Sequence, residues 1–214
     1  MKRADAPTIT QALIQWLDVK YEDKTITTEI PVNTSLGVKI ADVVVSNGHS
    51  MAYEIKSALD TTVRLDAQVN GFIEMFEYVN LVYWSEKFEP AKLNLPENIG
   101  LIRAYWSENE IAFRVEKKAK INKFLTPEAS AKFLWKKELR YFLRQKQIKF
   151  KMSDDKDTLV SKFAEFYKKR ESVEIFRYVL KKRFELGYSM FKYSNDLNVF
   201  KNNKTDFNYK LQYS

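Results

Sequence analysis

The chain has no cysteine, a single histidine, and only five glycines and five prolines among 214 residues. Without cysteine there are no disulfides and no thiol chemistry, which fits a reducing compartment and sets the expectation of a cytoplasmic protein. One histidine cannot build a metal–histidine cluster, and zinc sites and the usual nucleophile–histidine triads lack their parts. No Gly-x-x-x-x-Gly-Lys phosphate loop occurs, so no built-in ATP motor is indicated. No apolar run approaches the ~18 residues of a spanning helix, and MKRADAPTIT lacks a secretory apolar region. No membrane partner is expected.

What remains is 45% hydrophobic and 30% charged, the balance of a soluble globular protein. The length suits one sizeable domain or a medium domain with an appendage. The formal charge of +8 is unevenly spread. Lys117 to Arg183 carries 21 Lys and Arg against 8 Asp and Glu, and the rest of the chain carries 15 against 20. Such asymmetry suggests a polyanion-binding half. Abundant Lys, Asn, Phe and Tyr also mark proteins of AT-rich genomes, so charge alone leaves that alternative open.

The periodicities order the chain as helix, strands, helix, strands, then helices. TITQALIQWLDV puts Ile9, Leu13, Ile14 and Leu17 at helical spacing, with Thr8 or Thr10 as cap. TITTEIPV reads as a strand ended near Pro31, followed by a loop through Gly37. Residues 38–46 and 50–57 read as two strands. DTTVRLDAQVNGFIEMFEYV reads as a helix capped by Asp60, with Leu65, Val69, Phe72, Phe76 and Val79 on one stripe. NLVYW follows as a buried strand, and GLIRAYW and EIAFRVEK as a strand pair turning at Ser107-Glu108-Asn109. Residues 127–193 are helical in pattern. The expected fold is α/β, a mixed central sheet flanked by helices with a helical C-terminal extension. The expected division is a core over 1–120, a basic helical region over 121–193 and a loose tail over 194–214.

The stretch ADVVVSNGHSMAYEIKS, residues 41–57, sets charges among strand residues. Strand residues of equal parity share a face. If Val43 and Val45 share one with Met51, Tyr53 and Ile55, then Asp42, Glu54 and Lys56 share the other. That parity requires a three-residue connection, read as Ser46-Asn47-Gly48 with Gly48 in the left-handed position. A two-residue Asn-Gly turn would separate Asp42 from Glu54. Two carboxylates and an ammonium on one sheet face suit Mg²⁺, which prefers hard oxygen ligands and keeps waters for chemistry. The competing reading is a surface salt bridge, with Lys56 neutralising its neighbours. Glu-x-Lys by itself carries no weight, since Glu116 and Lys118 repeat it; the upstream acid at hairpin distance raises the signal.

Asp42, then Glu54-Ile55-Lys56 at the end of the next strand, then a helix bearing Gln68, resembles the PD-(D/E)XK nuclease superfamily. More narrowly, YEIKSALDTTVRLDAQVNGFIEMFEYVNLVYW is similar to a branch of bacterial and phage proteins, as is FLWKKEL at 133–139. The likeness spans roughly residues 8–143 and is densest over 40–84. It implies a restriction-endonuclease-like core and a metal-dependent nuclease hydrolysing DNA phosphodiester bonds. By that resemblance Asp42 and Glu54 bind Mg, with Mn able to substitute, Lys56 serves the attacking water and Ile55 lends a backbone carbonyl. DNA is then the expected partner, and many such nucleases pair as homodimers to cut both strands. Two departures stand out: Ala41 replaces the nominal proline, and Phe72 sits where related exonucleases carry a tyrosine.

Gln68 lies within the apolar stripe of its helix and should face the sheet, where a buried amide must find partners; that role is either catalytic or structural. Arg64, one turn earlier, is placed for a phosphate contact. Glu29 is either a third metal ligand or a solvated strand-end acid. His49, beside a turn, reads as an exposed loop residue. Lys136, Lys137 and Arg140 are candidate nucleic-acid contacts on the basic helices. Tyr141, Tyr167 and Tyr178 could stack on bases, but at helical spacing they read as core. The alternative to a nuclease is a non-catalytic nucleic-acid-binding or interaction protein that retains the fold.

Overall fold

The computed structural model describes residues 4–84 and 87–202. α1 (Ala6–Lys20) opens the described chain, and its N-cap is Asp5, whose Oδ1 accepts from the Thr8 N–H at 2.9 Å. The threonines expected to cap it lie inside the first turns, where the Thr10 hydroxyl bonds back to the Ala6 carbonyl. β1 (Thr25–Thr34), β2 (Gly37–Ser46) and β3 (Ser50–Lys56) then form an antiparallel meander. α2 (Leu65–Met75) returns the chain so that β4 (Tyr78–Trp84) runs parallel to β3. β5 (Gly100–Ser107) is parallel to β4, and β6 (Glu110–Lys117) pairs antiparallel to β5. The six strands lie in chain order in one mixed sheet.

β1 continues past Pro31, where the sequence suggested an end. It is an edge strand, so the proline's missing N–H removes no ladder bond that the sheet needs. The β2–β3 connection has three residues, as parity required, but they are Asn47-Gly48-His49, between the paired Ser46 and Ser50. The turn sits one residue later than expected. Gly48 takes φ +90°, which a side chain would resist, while Asn47 N–H donates to the His49 carbonyl at 3.1 Å.

A second irregularity lies in β1. Glu29 adopts φ +53°, and around it the strand alternation inverts. Ile26 enters one core and Ile30 the other, although two even-numbered strand residues should share a face. On β2 the switch falls between Ala41 and Val43, with Asp42 between them. A left-handed residue within a strand re-aims its neighbours, as a bulge does.

Helices cover both faces. On one, Val44, Ala52, Leu81 and Tyr83 pack under α2 and under α3 (Pro127–Phe133), α4 (Lys136–Gln145), α5 (Lys156–Phe166) and α6 (Lys169–Ser194). Phe133, Leu139, Phe163 and Phe176 belong to this core, so the basic helices are folded onto the sheet rather than beside it. On the other face, Val43, Val45, Met51, Tyr53 and Ile55 meet Ile9, Leu13, Ile14 and Leu17 of α1. Part of the expected tail also belongs there: α7 (Val199–Asn202) carries Phe200 against Phe191. The remainder of that tail, residues 203–214, lies outside the described residues. Tyr167 is core, stacked on Phe163, whereas Tyr178 is exposed. Among the described residues no helix is long and apolar enough to cross a membrane.

Candidate active site

β3 is covered on both faces, and all seven of its residues are buried. Its alternation sends Met51, Tyr53 and Ile55 to the α1 side and leaves Glu54 and Lys56 toward α2. Burial of those two charges is possible only because they meet. Lys56 Nζ stands 2.7 Å from Glu54 Oε1 and 3.0 Å from Gln68 Oε1. Gln68 is held there by its own helix. Val69 and Phe72 beside it are completely buried, each worth about 1.5–3 kcal/mol of apolar burial, so the helix holds the amide in place.

The paired register of β2 and β3 stops at Val43 and Tyr53. Beyond it, where the strand alternation inverts, Asp42 Oδ2 accepts from the backbone N–H of Ile55 at 2.7 Å. Asp42 is thus fixed against the Glu54-Ile55-Lys56 stretch, and Ile55 enters the site through that N–H. Asp60 does not cap α2, which starts five residues later at Leu65 without a side-chain cap. Asp60 Oδ2 instead accepts from the Ser57 N–H at 2.8 Å and the Ser57 hydroxyl at 2.6 Å, closing the turn that follows Lys56.

The electrostatics are those of crowded acids. Desolvation pushes the Glu54 carboxyl well above the usual range, with the charge of Asp42 adding to it and Lys56 opposing. Desolvation also raises Asp42, opposed by the Ile55 hydrogen bond and Lys56 and reinforced by Asp60 and Glu29. Lys56 is the one cation that lowers both of these raised carboxyls. Glu54 Oε2 is buried and has no hydrogen-bond partner among the described residues. A divalent cation fits this donor set through its hard oxygens and the unpartnered buried Glu54 Oε2. Among the described residues no cluster of three or more His, Cys, Asp or Glu side chains is assembled, so Asp42 and Glu54 would leave much of the coordination shell to water and backbone oxygen.

Asp42 opens into a cleft of about 810 Å³, lined also by Glu29, Lys39, Arg64 and Gln68. Glu29 is an exposed rim acid in mid-strand, 4.0 Å from Lys201, rather than at a strand end. Arg64 stands at the N-terminus of α2, one turn from Gln68. Lys39 went unnoticed in the sequence. Its signal was the spacing of three residues before Asp42 on one strand, too weak to separate from other lysines.

Pro31 lines this cleft and also a smaller one formed with Lys132, Trp135, Lys156 and Arg183, so the basic helices border the site through the edge of β1. On α4, Lys136 and Lys137 are exposed, whereas Arg140 is half-buried and donates to the Met152 carbonyl at 2.6 Å. Glu138 turns inward and is fully buried against Arg183, whose guanidinium lies 4.1 Å from the Trp135 ring centre. That pair joins residues 45 apart and gave no local signal. His49 is half-exposed, with Nδ1 3.0 Å from Glu77 Oε1. Glu77 also accepts from Ser50 N–H and from Arg177 Nε at 2.7 Å, which fastens α6 to the sheet.

The family described as Bacteriophage P4 protein cII matches residues 2–205. Protein cII of Enterobacteria phage P4 is 31% identical over 151 residues, covering 69% of this chain. The chain spans 56% of that protein's length. A solved structure of a protein of unknown function from Silicibacter pomeroyi aligns with a TM-score of 0.43 at 18% identity, over 72% of this chain and all of its own.

Proposed function

We propose that this chain, which belongs to the Bacteriophage P4 protein cII family, is a metal-dependent nuclease of the PD-(D/E)XK type that hydrolyses DNA phosphodiester bonds. The observation that carries this reading is the buried Lys56 ammonium, held by Glu54 and by Gln68, which with Asp42 lines an open cleft. Unlike the buried Arg183–Glu138 pair, which lies among the C-terminal helices, this one sits beside a third charged group, Asp42, that reaches an open cleft. Here the fold buries an acid and a lysine against a half-buried amide, and Glu54 Oε2 has no partner among the described residues.

Asp42 and Glu54 would hold Mg²⁺ or Mn²⁺, which when bound acidifies water and offsets charge on the phosphodiester. Lys56 has three N–H donors. Glu54 and Gln68 take two, so the third is free to orient a water or a phosphoryl oxygen at the cleft. Gln68 acts as a positioning residue, since it accepts from the ammonium and fixes its direction. The oriented water releases a proton to solvent as its oxygen bonds to phosphorus, the bond from phosphorus to one sugar oxygen breaks, and the released oxygen takes up a proton from solvent. Arg64 and Lys39 line the same cleft and can pair with flanking phosphates, with Lys136 and Lys137 extending the cationic surface.

The test is incubation of plasmid, single-stranded DNA and RNA with Mg²⁺ or Mn²⁺, beside Lys56→Ala. DNA cleavage that needs metal and Lys56 supports the reading. Binding of DNA that stays intact with either metal would instead make the chain a nucleic-acid-binding protein that retains the fold.

A further inference from the structure

At the other end of β3, on the α1 face of the sheet, lies a second cavity of about 790 Å³. It shares no lining residue with the Asp42 cleft. Its volume is that of a small-molecule site, and its walls are apolar and aromatic: Met51 and Ile102, with Trp16, Tyr21, Tyr53 and Tyr78. Three features make it more than a gap in packing. Asn47 Oδ1 is buried at the cavity with no hydrogen-bond partner among the described residues, an acceptor awaiting a donor. The amide of Asn80 lies against the same space. At the mouth stand Lys20 and Lys118, with no carboxylate among the lining residues.

Lys20 lies across the aromatic wall, its ammonium 4.1 Å from the Trp16 ring centre and 5.5 Å from that of Tyr21. Lys20 and Lys118 thus converge on one opening, and partial desolvation, then the charge of Lys118, hold the Lys20 ammonium below the ordinary lysine range. Paired ammoniums call for a multiply charged anion, which phosphate supplies and a single carboxylate does not. Apolar aromatic walls with an unpaired acceptor call for a flat ring bearing N–H groups at its edge.

We propose that this cavity binds a mononucleotide, with its base against Tyr78, Met51 and Ile102 and its phosphate between Lys20 and Lys118. Asn47 Oδ1 accepts from the base, and the Asn80 amide faces the same ring edge. The site is separate from the Asp42 cleft, so this proposal stands or falls independently of the nuclease reading.

Calorimetric titration of the full chain with the four nucleoside 5′-monophosphates, ribose 5-phosphate and inorganic phosphate tests it. At least one monophosphate should bind about tenfold or more tightly than ribose 5-phosphate, because the sugar phosphate lacks the ring. Lys20 and Lys118 are both exposed at the surface, so the double variant Lys20→Ala/Lys118→Ala should fold normally. It should weaken that binding about tenfold or more, while Lys182→Ala on α6 leaves it unchanged. The proposal is overturned if no monophosphate binds, if ribose 5-phosphate binds equally well, or if the double variant binds like the parent.

Discussion

Replacing Lys56 by alanine separates a structural lysine from a catalytic one, because the two roles fail differently. Lys56 is 8% exposed and Glu54 1%, so solvent cannot compensate for a lost partner. Removing one member of a buried ion pair costs about 3–5 kcal/mol, since the other charge stays behind. For a chain of this length each kcal/mol is worth roughly 2–4 °C, so the metal-free variant should melt about 10 °C below the parent. The penalty should depend on pH in a definite sense. Lys56 opposes the upward shift of the Glu54 carboxyl, so its removal raises that carboxyl further. A carboxyl raised above its unfolded value of about 4.3 loses folded-state stability as pH climbs toward the raised value. The difference in melting temperature should therefore be largest near pH 8 and shrink toward pH 5. Lys56→Met retains the stem's packing and should recover only the small part that is not charge. Mg²⁺ should raise the melting temperature of the variant more than that of the parent, while cleavage falls about a hundredfold. Scanning calorimetry across pH, paired with plasmid cleavage, reads both. A variant that melts and cleaves like the parent would refute the reasoning.

Other perturbations probe the remaining parts. Glu54→Gln keeps shape but removes a charge the cation requires, so Mg²⁺ affinity by calorimetry and cleavage should fall together. Gln68→Ala should lower the cleavage rate about tenfold or more with DNA affinity little changed, since it acts through the direction of Lys56; equal loss in both would argue for a phosphate contact instead. Lys136→Glu/Lys137→Glu should flatten the salt dependence of DNA binding by filter assay, by a log–log slope of about one per lost phosphate contact. Arg177→Ala strands buried Glu77 and should cost about 3 kcal/mol in urea unfolding at pH 7. Although desolvation works against it, Arg177, His49 and Ser50 hold the Glu77 carboxyl below its usual range, so that contribution is full at neutral pH and lost as acid protonates it. The gap between variant and parent should close below about pH 4.

The meander and its charged face were legible because alternation is a local property. Val43, Val45, Met51, Tyr53 and Ile55 fixed the parity, and a three-residue turn followed. Gln68 was legible for the same reason, an amide inside a helical apolar stripe. What stayed hidden was non-local or strained. The inversion at Glu29 is a backbone choice by a residue with no intrinsic preference for it, so Ala41 and Val43 read as one face when they serve two cores. Pro31 looked like a stop because a sequence does not reveal which strand is an edge. Asp60 was taken for a helix cap, since an acid before a helical stripe is the same signal whether it caps the helix or the preceding turn. The core shared by the sheet and α3–α6 could not be inferred from a change of composition near residue 120.

The bond between Arg177 and Glu77 spans 100 positions of chain. On a ribosome adding about 5–20 residues per second, the strand bearing Glu54 and Lys56 is complete for several seconds before α6 exists to cover its sheet. During that interval the nascent chain carries Val44, Leu81 and Phe72 uncovered, and a message truncated before α6 releases a product with that surface permanently bare. Termination before α6 therefore yields an aggregation-prone fragment rather than a smaller working protein.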